Sequence, residues 1–288
     1  MDISRVFSIS FAMFRRRFWL LLGMVLVFFA IQMAASTVLG IAVVVAGVAG
    51  MTGLGAGIED PGAIAGLGIG VIALMVVLYG GYIVLLLAQQ AAMVTIASPL
   101  EEPSFGAALV RGFRSALPFF GIAVLLVLGY LGISLLFGLV VAGAGGAGSG
   151  GEAVGAVLAL LFLPLLIYFG CRFSVLIPVV AVDQVFNPVA ALRRSWSVTR
   201  GRVVSILLAL VGFILLTLVA FGLPFGVIFG MLFAGQDVPG EMPKVVAFAF
   251  LIFIPLLIGY TMFAAAFTAA LHCEVTGGGA ERLEDVFA

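Results

Sequence analysis

The sequence predicts an all-α bundle of six membrane-spanning helices, and three observations carry that prediction. Of 288 residues, 64% are hydrophobic and only 9% are charged, where a soluble domain is nearer half apolar and a quarter charged. The mean hydropathy is +1.36. Six separate apolar runs are each long enough to cross a bilayer. An ordinary soluble domain, a disordered chain and a nucleic-acid binder are excluded on these grounds. The formal net charge is zero, so no global field steers a partner.

Taken in order, residues 2–17 are short, basic and partly apolar, with Phe7, Phe11 and Phe14 at helical spacing and Arg15, Arg16 and Arg17 at the end. Span 1 is expected from Phe18 to about Val45. The small residues of Met33-Ala34-Ala35-Ser36 also suit a cleaved signal peptide, but the apolar stretch continues past them and favours an uncleaved anchor. After a Gly-rich loop with Glu59, Asp60 and Pro61, span 2 runs from about Gly70 to Ile96, and Pro99 and Pro103 break the chain. Span 3 covers 116–141, a Gly/Ala turn covers 143–151, and span 4 covers about 153–182. Asn187-Pro188 reads as a helix start, an Asn cap with Pro in the first helical position. Span 5 runs from 203 to 233 and span 6 from 245 to 271; the polar tail 275–288 is expected to be flexible.

Basic residues set the orientation. Arg5, Arg15, Arg16, Arg17, Arg111, Arg114, Arg193, Arg194, Arg200, Arg202 and Arg282 fall on one side, and only Lys244 falls on the other, beside Glu59, Asp60, Glu152, Asp237 and Glu241. Both termini are therefore expected in the cytoplasm, in a bacterial inner membrane. The two cysteines, Cys171 and Cys273, make no disulfide framework and are expected to stay reduced. With the lone His272 they make no recognisable metal motif, and no cofactor is expected.

An internal repeat is also legible. SFGAALVRGF after span 2 aligns with NPVAALRRSW after span 4, matching Arg111 to Arg194 and Phe113 to Trp196. FLPLLIYF in span 4 echoes FIPLLIGY in span 6, matching Pro164 to Pro255. The expected unit is a basic amphipathic helix followed by a transmembrane hairpin, used three times in parallel over 1–99, 100–183 and 184–274 of a single membrane domain. In the third unit, Val189, Leu192 and Trp196 share one narrow helical face, edged by Arg193 and Arg200, while Arg194 and Arg202 point elsewhere. Such a helix suits the membrane plane, with Trp at headgroup depth and arginines toward phosphates. Arg193, Arg194, Trp196, Arg200 and Arg111 are the candidate contacts to lipid or anion. Anchoring topology and packing across the end of the bundle is the plainer role.

ALRRSWSVTRG, with Arg172-Phe173-Ser174 and Pro178 upstream, resembles the signature of the membrane domain of bacterial glycerophosphoryl diester phosphodiesterases and of related stand-alone six-span proteins. The resemblance implies a membrane part. Because only 14 residues follow Glu274, no soluble hydrolase barrel, and hence no phosphodiesterase activity, is expected.

Within the spans Arg172 is the one deep charge, and a charge there is costly. The sequence predicts an intramembrane polar site of Arg172 with Gln89, Gln90 and Tyr168, structural or substrate-contacting. His272, Asp183 and Glu274 are expected at the inner boundary. Three functional classes remain open. A non-enzymatic scaffold or accessory factor would engage anionic headgroups, or a cytoplasmic protein partner, through basic helices. A transporter or lipid translocator would hold a polar site at Arg172, and a membrane-embedded enzyme would need a nucleophile motif that is not apparent.

Overall fold

In the computed structural model, the backbone is described for residues 1–57, 61–143, 149–234 and 242–277, and side chains within these other than 46–57, 61–75, 77, 149–150, 159, 231–234, 242–246 and 249. Among the described residues the regular secondary structure is all helix, with no strand. In chain order the helices are α1 (Ile3–Arg16), α2 (Phe18–Gly57), α3 (Pro61–Ala97), α4 (Phe105–Gly143), α5 (Ser149–Phe173), α6 (Leu176–Ala181), α7 (Pro188–Val198), α8 (Val203–Ala234) and α9 (Met242–Val275). Six segments are long and apolar enough to cross a membrane: Phe18–Val45, Leu78–Ala97, Phe105–Gly143, Gly151–Ala181, Val203–Gly230 and Phe250–Val275. The chain is a multi-pass membrane protein.

The core lies at the end of the bundle that carries the arginines. Its buried residues include Val6, Leu21, Phe28, Ala88, Ala108, Val175, Val179, Ala191, Ile206 and Leu271. Toward the other end, large apolar side chains such as Val38, Leu135, Leu160, Val219 and Leu251 stand open. That distribution fits helices whose outer halves meet acyl chains, since lipid is as apolar as leucine and gives no incentive to bury it.

Short helix α6 forms the centre of this core. Span 4 does not continue straight to residue 182: α5 stops at Phe173, Ser174 and Val175 turn, and Leu176, Pro178, Val179, Val180 and Ala181 of α6 are all buried. The α6 helix packs against α3, α4, α7 and α9. Beyond it Gln184 takes a φ of 56°, a conformation open to few residues other than glycine, and Asn187 then caps α7.

The caps recur. Asp2 accepts from the Ser4 N–H at 2.9 Å, Ser104 Oγ from the Ala107 N–H at 3.3 Å, and Asn187 Oδ1 from the Val189 and Ala190 N–H groups at 3.0 and 3.1 Å. Each side-chain oxygen satisfies an N–H that the first turn leaves without a partner. Four residues after each cap comes a fully buried small residue (Val6, Ala108 or Ala191), and eight after it another (Ser10, Gly112 or Ser195). The three helix starts pack on different spans, α1 on α9, α4 on α3, and α7 on α5 and α6.

Two sequence expectations need correction. The basic segment 107–113 is not a separate helix, because it forms the first turns of α4, which runs unbroken through Pro118 to Gly143. It lacks the chain-reversing residue that separates α7 from α8, where Gly201 takes a φ of 76°. The tail also begins later than residue 275. Val275 closes α9 and is buried, and Thr276 Oγ1 donates to the His272 carbonyl at 2.8 Å. The rest of the predicted tail, and most of the turn at 143–151, lie outside the described residues.

Candidate functional site

Helix α7 is built to be held on one side and open on the other. Its inward stripe is Ala191, Ser195 and Thr199, each fully buried. Ser195 Oγ donates to the Arg172 carbonyl at 2.7 Å. Thr199 Oγ1 donates to the Ser195 carbonyl at 2.8 Å. Small hydroxylated side chains at this spacing let the helix sit directly on the end of α5. Ser195 also satisfies the Arg172 carbonyl, one of those the last turn of α5 leaves free.

Arg172 completes the joint. It is the next-to-last residue of α5 and only 7% exposed. Its Nε and Nη2 donate to Tyr168 Oη at 3.0 and 2.8 Å, and Nη1 donates to the Trp196 carbonyl at 3.1 Å. The guanidinium lies 4.6 Å from the Trp196 ring centroid and 5.1 Å from that of Tyr168. It thus lies against two aromatic rings that stand nearly perpendicular to each other, and is bonded to both helices. A buried cation persists when its donors are satisfied and aromatic faces replace water.

The break after Phe173 brings Arg172 to the base of α7, so it has a partner there that a straight span 4 would not offer. Tyr168 is a partner, as the sequence suggested; Gln89 and Gln90 are not. Gln89 Oε1 instead accepts from Gln32 Nε2 at 2.7 Å, between α2 and α3. The predicted polar cluster therefore does not form as one site: Arg172 stays with Tyr168 on α5, and Gln89 bonds to Gln32, a residue outside the predicted set.

Trp196 is half-buried, with its ring 5.8, 5.8 and 6.1 Å from those of Tyr168, Phe169 and Phe173. It rests on α5 as well as presenting an edge outward. Val189 is 48% exposed, so the expected apolar face of Val189, Leu192 and Trp196 flanks the buried stripe and does not coincide with it.

The other arginines fall into two groups. Arg194 reaches Asp183 at 3.9 Å, and the same Asp183 oxygen is 3.3 Å from Nε2 of the buried His272. Arg111 pairs with Glu101, and Arg5 with Glu274 at 3.6 Å. Arg17, 8% exposed, donates to the carbonyls of Ile96, Ser98 and Glu101 at the end of α3. Burial pulls its pKa down, with the Glu102 charge opposing. Arg202 donates to the carbonyls of Glu274 and Val275 at the end of α9. Each of these cations is engaged with an anion or a helix C-terminus, where a positive charge is favourable. Arg193 and Arg200 differ, as do Arg15 and Arg114: all four are exposed and make no ion pair with any described residue, Arg114 lying over the Phe186 ring instead.

Sequence reading missed Ser195, Thr199, Arg17 and Arg202 as joint-forming residues. The 195/199 pair carries a signal, two small hydroxylated residues four apart on the face opposite Arg193 and Arg200. Arg17 and Arg202 carry another, each standing directly before the first residue of a span.

No curated protein and no solved structure matches the chain. Residues 152–277, from the first turn of α5 to the end of α9 and including Arg172 and all of α7, match the family model described as the membrane domain of glycerophosphoryl diester phosphodiesterase, and over that stretch the chain is similar to that domain.

Proposed function

We propose that this is a non-catalytic membrane protein whose basic end engages anionic phospholipid headgroups, in a bacterial inner membrane with both termini cytoplasmic. In this reading it serves as a scaffold or accessory factor, not as a transporter or an enzyme. The observation that carries it is the division among the arginines. Arg193 on α7 and Arg200 in the turn just after it stand open, while the opposite side of α7 is pinned to α5 by Ser195 and Arg172. A pinned helix and the turn that ends it present two open cations at one end of the bundle, each contributing about 1 kcal/mol near an anionic surface. A transport role would need Arg172 to meet a substrate, yet its donors are engaged with Tyr168 and Trp196.

The test is the association of spin-labelled phosphatidylglycerol and phosphatidylcholine with the reconstituted protein. Replacing Arg193 and Arg200 with glutamine should lower the preference for the anionic lipid severalfold, whereas Arg282→Gln should not. Equal effects would reduce α7 to a topology anchor. Reporter fusions at Gly55 and Gly148 should read external and one at Ala288 internal; the reverse would overturn the orientation.

A further inference from the structure

A second surface of the same end has the shape of a lipid site and lies away from α7. On α1, Phe11 and Phe14 pack on Phe263 of α9, with ring centroids 4.7 and 6.0 Å away. These two rings border two adjoining hollows. One, about 770 Å³, is lined by Arg15 and Arg16. The other, about 300 Å³, runs between α8 and α9 past Ala220 and Gly259 to Pro255 and Leu256. Phe263 and Pro255 are eight residues apart on α9, so the second hollow descends roughly 12 Å along the helix at 1.5 Å per residue. Its surface is almost wholly apolar, lined by side chains such as Leu216, Phe221 and Leu256, and it is open because Ala220 and Gly259 put no bulk on that face. Around its mouth Arg15 is exposed and ion-paired with no described residue, and Arg16 reaches Glu102 at 2.7 Å with both side chains largely open to solvent. Trp19, 79% exposed, stands just beyond on α2. Indole rings favour the boundary between headgroups and hydrocarbon.

We propose that this composite groove binds one anionic phospholipid, with its phosphate at Arg15 and Arg16 and one acyl chain in the slot between α8 and α9. The charge at the mouth selects an anion. The depth and apolarity of the slot select a chain over a free anion. The exposed Arg16–Glu102 pair contributes little to folding, so Arg16 is available to a phosphate.

Gly259 supplies a clean test, because a Cβ built there meets nothing within 4 Å. Gly259→Leu therefore starts from an open Cβ position and extends bulk into the slot, and leucine is the better helix former. Lipid retained by the purified full chain is counted by native mass spectrometry, with phosphatidylglycerol, phosphatidylcholine and inorganic phosphate as probes. Wild type should retain one phosphatidylglycerol in preference to phosphatidylcholine. Arg15→Gln with Arg16→Gln should weaken phosphatidylglycerol by about 25-fold, from about fivefold per arginine, and leave phosphatidylcholine unchanged. Gly259→Leu should weaken both lipids. Arg193→Gln with Arg200→Gln should leave this lipid in place, which separates the groove from the surface of α7. Unchanged retention in Gly259→Leu, or displacement of the lipid by inorganic phosphate alone, would overturn the proposal in favour of a bare anion patch. Loss only in the Arg193/Arg200 variant would overturn it in favour of α7.

Discussion

The start of α4 and the stretch from α7 into α8 share a local pattern and part ways in two respects. Ser104 and Asn187 both cap, Ala108 and Ala191 are both fully buried, and Arg111 and Arg194 each reach a carboxylate from the preceding connection, Glu101 and Asp183. The first difference is how each helix is held. At Gly112 an added Cβ would lie 2.6 Å from the Ala88 carbonyl oxygen and 2.7 Å from Ala92 Cβ, so α4 is seated on α3 by close backbone approach. At the aligned position α7 has Ser195, and its joint to α5 is polar, closed by Arg172. The second difference lies one turn further along the chain. Thr199-Arg200-Gly201-Arg202 turns the chain before α8, with Gly201 left-handed and Arg202 anchored on the end of α9. The aligned Ala116-Leu117-Pro118-Phe119 stays helical, and Phe119 is buried. One basic pattern thus yields a surface helix or the first turns of a span, according to whether a glycine and a second arginine come after it.

The largest expected effect falls on the polar joint. Arg172→Ala removes charge-assisted bonds to Tyr168 and Trp196 and opens a void, and should cost about 3 kcal/mol or more in detergent-titration unfolding. Arg172→Met, which keeps much of the packing, should recover part of the loss. If both variants unfold like wild type, the guanidinium does not hold α7 to α5.

Gly112→Val tests the close-packed joint. Overpacking should cost about 1–3 kcal/mol and move α4 off α3 without disturbing α7. The Ser195→Ala change at the aligned position removes a hydroxyl and adds no bulk, so it should cost about 1 kcal/mol. A larger loss at Ser195 than at Gly112 would reverse the assignment of which joint is polar and which is close-packed.

Gly201→Ala should cost about 1–2 kcal/mol, because a Cβ is disfavoured at positive φ. Its effect should appear as loosening between α7 and α8 in hydrogen exchange. Gly106→Ala, inside α4, should stabilise slightly instead.

The smallest effect is a pH dependence in α1, capped like α4 and α7 but by a carboxylate. Hydrogen bonds from the Ser4 hydroxyl and N–H hold Asp2 below its ordinary pKa. A carboxyl with a depressed folded-state pKa contributes its stability above its unfolded pKa and loses it as pH falls through the lowered value. Hydrogen-exchange protection at the start of α1 should therefore persist down to the ordinary carboxylate range and fade only below it. Asp2→Asn, which still caps, should remove that dependence.

The six spans were legible because hydropathy reports on solvent, and a bilayer tolerates little else over 20 residues. The start of α7 was legible because Asn187-Pro188 is a local signal that tertiary contacts need only accept. Arg172 was legible as a problem but not as a solution. Its partners depend on the break after Phe173, and the one breaker in that stretch, Pro178, whose ring cannot accommodate a helical carbonyl at Ser174, stands a turn beyond Arg172 and does not by itself say which helix end Arg172 will meet. The continuity of α4 was missed for the converse reason. Its alignment with α7 is good through Phe113, and the residues that decide the outcome lie just beyond it.

The account turns on α7 lying at an anionic lipid surface, and Trp196 can report this directly. In a Trp19→Phe background it is the sole tryptophan, half-buried on α5 beneath Arg172 and flanked by the open Arg193 and Arg200. Quenching of its fluorescence by brominated phosphatidylglycerol, compared with brominated phosphatidylcholine and with aqueous acrylamide, is the decisive measurement. The expected result is stronger quenching by the anionic lipid than by the zwitterionic one, weak quenching by acrylamide, and loss of the lipid preference in Arg193→Gln with Arg200→Gln. Equal quenching by the two lipids, or quenching dominated by acrylamide, would contradict it.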